Sequence, residues 1–84
     1  MLRSIDIQLS YPTEPDWAKV PVDILYQLVE EYFIEPNCAT SALLELSERQ
    51  DQKTSNYCSW VLEEEKTDKW LKQAAEEILK EKNL

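Results

Sequence analysis

The most regular alternation of apolar and polar positions lies near the C-terminal end. There Leu71, Ala74, Ala75, Ile78 and Leu79 recur at three- and four-residue spacing, which puts them on one face of a helix. Thr67 supplies a capping hydroxyl and Asp68 an acid near the positive helix end. Lys80 and Lys82 suit the negative end, and the tail after Leu79 is expected to fray. Just upstream, Tyr57, Cys58, Trp60, Val61 and Leu62 give another helix a broad apolar arc that ends in Glu63-Glu64-Glu65-Lys66. The polar run 47–56 connects it to an earlier helix, which restarts after Glu35-Pro36-Asn37 and ends near Arg49. Ala39, Ala42, Leu43 and Leu46 form a narrow face on that helix, with Leu44 on the opposite side.

Pro21 suits the first position of a helix running to about Phe33. Ile24, Leu25, Leu28 and Tyr32 make one stripe with Pro21, and Val22, Tyr26, Val29 and Phe33 make a second beside it. So wide an arc predicts a helix covered on two sides, at the centre of the core. The N-terminal segment differs. Ile5, Ile7 and Leu9 alternate with polar residues at strand periodicity, yet no second strand pattern follows. This predicts an extended arm packed on helices, or a strand that pairs with another chain. Pro12, Pro15 and Pro21 make the intervening segment a loop, with one helical turn through Pro15–Trp17 capped by Thr13.

The expected fold is all-α: four main helices as two stacked hairpins, HEAT-like or a small bundle, with an extended N-terminal arm. At 84 residues the chain is long enough for a single helical domain, 1–84. Within it, 1–20 form the arm and Pro-rich loop, and 21–84 the helical core. A chain of this size buries only ~60–65% of its unfolded surface, so the core must be economical.

Composition narrows the functional classes. There is no glycine, which argues against Gly-turn hairpins, phosphate-cradling loops and a dinucleotide fingerprint. There is no histidine, the commonest general base and, with cysteine, a usual zinc ligand. The net charge of −8 leaves no basic footprint for nucleic acid or an anionic membrane. It does permit a basic protein partner. No signal-like segment or membrane-length apolar stretch is evident, so the expected location is the cytoplasm. Cys38 and Cys58 fall inside helix patterns and are expected as small core residues in a reducing compartment.

The chain also repeats itself. At an offset of 33, Leu28 and Val29 meet Val61 and Leu62, Glu30 and Glu31 meet Glu63 and Glu64, Ala42 meets Ala75, and Leu46 meets Leu79. Periods of this length mark stacked helical hairpins. The run Asp68, Leu71, Lys72, Ala75, Ile78 and Leu79 resembles the second helix of a HEAT-like repeat, and the likeness spans about two hairpins over residues 21–80. The family favours Arg where Lys72 stands. The first copy has Ala39 at that place and Glu45 where the second has Ile78. Two plain amphipathic hairpins would also align at this offset. Because about three repeats usually make a stable stack, the N-terminal arm or a second subunit is expected to cover an end.

No constellation for catalysis stands out. Most of the seventeen carboxylates fall on helix faces where solvated charge is expected. Residues 63–66 point about 100° apart, unlike an oxygen-rich metal loop. Neither an enzyme activity, a cofactor nor a metal is therefore expected. What remains is recognition by Trp17, Leu44, Glu45, Glu48, Trp70 and Glu77, candidate partner-binding residues that combine aromatic or aliphatic anchors with acids. The expected function is a small acidic protein-binding module, as an inhibitor or immunity-type protein for a basic partner, or as an adaptor. The alternative is a structural subunit that self-assembles through apolar helix faces and its N-terminal strand.

Overall fold

A computed structural model describes residues 3–82. The chain forms α1 (Ser4–Ser10), a 3-10 turn (Trp17–Lys19), α2 (Val22–Glu30), α3 (Pro36–Glu48), α4 (Thr54–Glu63) and α5 (Lys69–Lys82). The all-helical class is as expected, and no strand occurs among the described residues.

The N-terminal segment departs from expectation, since residues 4–10 are helical rather than extended. Seven residues carry two competing patterns. The alternation of Ile5, Ile7 and Leu9 yields to Ser4, Ile7 and Gln8, which share a helical face and are buried. Arg3 and Asp6 pair across the first turn at 3.1 Å. α1 packs on α2, and the carboxylate of Glu31, the residue that ends α2, accepts bonds from Ser4 Oγ at 3.0 Å and Gln8 Nε2 at 2.9 Å. Two of the three buried residues of α1, Ser4 and Gln8, are thus polar and invisible to a hydrophobic periodicity. Leu9 is left 76% exposed.

The centre of the core is α3, not α2. It packs against α2, α4, α5 and the 3-10 turn, and Cys38, Ala39, Ala42, Leu43 and Leu46 are all buried. Its small residues let neighbouring helices approach closely from several directions. A narrow apolar face can therefore be the most completely covered. Leu25, Leu28 and Val29 of α2, Cys58 and Val61 of α4, and Leu71, Ala75 and Ile78 of α5 complete the core. Several positions related by 33 residues share complete or nearly complete burial: Leu25 with Cys58, Leu28 with Val61, Cys38 with Leu71, and Ala42 with Ala75.

Without glycine, the turns rely on other devices. α3 ends with Gln50 in the left-handed region at φ 55°. Asp51 N–H then donates to the Leu46 carbonyl and Gln50 N–H to the Ser47 carbonyl, closing the helix end. Thr54 is fully buried, and its hydroxyl donates to the carbonyls of Leu46 and Asp51. Thr67 bonds in the same way to Val61 and Glu64. It therefore closes the end of α4, while Asp68 takes the capping role expected of Thr67 by accepting from Trp70 N–H at 2.8 Å.

Candidate functional site

A concavity lies between the end of α2 and the outer face of α4. It encloses about 590 Å³ and is lined by Glu30, Lys53, Asn56, Tyr57 and Trp60. Helical spacing builds both walls. Asn56, Tyr57 and Trp60 recur along one face of α4, with Lys53 immediately before it. Tyr26 and Glu30, four residues apart, stand together on α2.

Beside the groove, the Tyr26 ring backs Tyr57, the two stacking with ring centroids 5.2 Å apart and an interplanar angle of 14°. Each phenol donates to an acid: Tyr26 to Asp51 Oδ2 at 2.6 Å, and Tyr57 to Glu30 Oε2. Lys53 Nζ sits 5.0 Å from the Tyr26 ring centre, a cation held on an aromatic face. The Asp51 carboxylate also accepts from Lys53 N–H, which fixes the turn entering α4. Further along, Trp60 meets Tyr32 edge-on at 5.8 Å, and Tyr32 meets Phe33 at 6.0 Å. Phe33 is 72% exposed.

The hydrogen bond to Asp51, followed by burial and the Asp51 charge, pushes the Tyr26 phenol up to about 12. Burial, followed by the hydrogen bond and charge of Glu30, raises the Tyr57 phenol as well. Both therefore stay protonated at neutral pH, as donors to carboxylates rather than as bases. The groove can hold a cationic or planar group against its rings. Its lining contains no thiol or imidazole. Both cysteines are buried in the core, and burial, with the charges of Glu35 and Glu14, pushes the Cys38 thiol up to about 11.

The candidate residues taken from sequence lie elsewhere. Trp17 is half-buried against the core, and its indole donates to Glu14 at 3.3 Å. Leu44 is 46% exposed on α3. Glu45 is turned inward by Arg49 at 2.9 Å, while Glu48 is exposed. On α5, Trp70 is 61% exposed with Lys69 Nζ 5.1 Å from its ring centre, and Glu77 accepts from Gln73 at 3.3 Å. Thus α3 carries Leu44, Glu45 and Glu48, and α5 carries Trp70 and Glu77.

In the sequence, Tyr57 and Trp60, which line the groove, and Tyr26 behind it belong to the apolar arcs of their helices, and Glu30 stands out only through its match to Glu63 at the 33-residue offset. The usable signal was the second stripe of α2, with Tyr26 and Phe33, beside the aromatic-rich α4. Among the described residues, no helix is long and apolar enough to cross a membrane. No group of three or more His, Cys, Asp or Glu side chains there is placed to hold a metal ion. Compared with known protein families, curated proteins and solved structures, the chain matches none.

Proposed function

We propose that this chain is a small acidic protein-binding module that acts by occupying a partner's surface. Two HEAT-like hairpins, α2 with α3 and α4 with α5, form its scaffold. This is supported by the packing of those pairs, the contact of α3 with α5 and the matched burial at the 33-residue offset. The observation that carries the reading is the groove lined by Glu30, Tyr57 and Trp60, with Tyr57 backed by the stacked Tyr26 ring. Aromatic anchors beside acids suit recognition of a basic protein, as expected of an inhibitor, an immunity-type protein or an adaptor. The protonated phenols and the absence of histidine from the chain favour binding over catalysis.

Self-assembly remains the second reading, favoured by the exposure of Leu9 and Phe33. It would work through helix faces, because α1 would have to unfold before pairing as a strand. A pull-down from source-cell lysate with tagged protein, washed at low and then high salt, separates the two. A basic partner retained at low salt and depleted at high salt is the expected result. Recovery of only the chain itself, also in a mixed-tag control, would overturn the binding-module reading in favour of self-assembly.

A further inference from the structure

We propose that the groove between α2 and α4 seats an arginine side chain from a basic segment of a protein partner, an inference that rests on the binding-module reading. A ring adjoining the groove already takes a cation, since Lys53 lies on Tyr26. Tyr57 is stacked on Tyr26 through one face, and with Trp60 it lines the open volume. A guanidinium stacks on such rings and also pairs with a carboxylate. Glu30 stands in the same wall. A carboxylate has about four acceptor positions, so the bond from Tyr57 leaves capacity for a planar donor fork.

Charge selects the occupant. The chain carries −8 overall, and the only basic residue in the lining is Lys53, which is engaged with Tyr26. An acidic or neutral apolar segment would leave Glu30 without a counter-charge, whereas an arginine supplies one and covers the rings with its guanidinium plane. Trp70 on α5 is a poorer match because Lys69 and Lys72 stand on the neighbouring surface of that helix.

The test is an NMR titration of the isotope-labelled full chain with a capped tripeptide bearing a central arginine. The same peptide with neutral citrulline is the control. The ring and indole signals of Tyr26, Tyr57 and Trp60 should move saturably with arginine, and citrulline should bind at least about fivefold more weakly. Glu30→Gln should weaken arginine binding about fivefold, and Lys53→Gln should strengthen it. Both substitutions are at exposed positions, and an unchanged amide spectrum would confirm that each variant folds.

Equal binding of the two peptides, indifference to Glu30→Gln, or shifts confined to Trp17 or Trp70 would overturn the inference. If the groove ignores arginine while the pull-down still returns a salt-sensitive basic partner, only this inference fails. If the groove binds arginine but the pull-down returns only the chain itself, the binding-module reading fails and takes with it the assignment of the arginine to a protein partner.

Discussion

Arg49 Nη2 donates to the carbonyl of Val20 at 2.6 Å, tying the C-terminal cap of α3 to the segment that enters α2. The same nitrogen reaches the carbonyls of Trp17 and Ala18, and Glu45 holds the guanidinium from the other side at 2.9 Å. Only 27% of the Arg49 side chain and 17% of the Glu45 side chain are exposed. This cluster anchors the Pro-rich segment to the core helix. Arg49→Ala should destabilise the fold by about 2–4 kcal/mol, because Glu45 loses its partner and three carbonyls lose a donor. Arg49→Lys should recover part of that loss, since a point charge lacks the planar fork. Urea midpoints for the three proteins check both statements, and a midpoint unchanged by Arg49→Ala would contradict them.

Gln50 occupies a left-handed position that glycine fills without a Cβ penalty. Gln50→Gly should therefore stabilise the chain by about 1 kcal/mol, raising the urea midpoint without changing the slope. A lowered midpoint would mean that the Gln50 side chain provides more stability than its backbone strain costs.

Glu31 holds α1 through Ser4 and Gln8. Glu31→Ala should cost about 1–2 kcal/mol, concentrated in the docking of α1. Hydrogen exchange at the amides of α1 should accelerate while protection of the buried α3 amides changes less. Uniform loss across all helices would show that α1 is not a separable unit.

Three raised acid groups predict alkaline sensitivity. The Cys38 thiol, pushed up to about 11, and the Tyr26 phenol, pushed up to about 12, are neutral in the fold. Tyr57 is shifted in the same direction. Their ordinary values are 9.0 for the thiol and 10.0 for the phenols. The stability they contribute is thus complete below those values and is lost as pH rises through the folded ones. The Tm should begin to fall near pH 9 and continue falling through about pH 12. Asp51→Asn should bring the phenolate absorbance of Tyr26 to lower pH. A Tm that holds constant over this range would contradict the linkage.

The sequence disclosed the fold class and much of the core through helical periodicity. Leu71, Ala75 and Ile78, and likewise Ala39, Ala42 and Leu43, lie on the buried faces their spacing implied. Short segments were less legible. In residues 4–10, strand and helix patterns overlap, and the deciding contacts belong to Ser4 and Gln8, whose polarity hides their burial. The role of α3 as the centre was obscured because its small residues weaken the hydrophobic signal while allowing the closest packing. The groove escaped because Tyr57 and Trp60 look like core residues in one dimension. Only the approach of α2 and α4 shows that their rings also line a surface.

The central claim, that acidic and aromatic residues bring in a basic protein, is tested most directly by association kinetics. With the captured partner purified, stopped-flow rates would be recorded between about 0.05 and about 0.5 M salt for the native chain and Glu30→Gln. The account predicts an association rate that falls by about tenfold or more with salt, and a smaller slope for Glu30→Gln. An association rate independent of salt, or identical slopes for the two proteins, would contradict it.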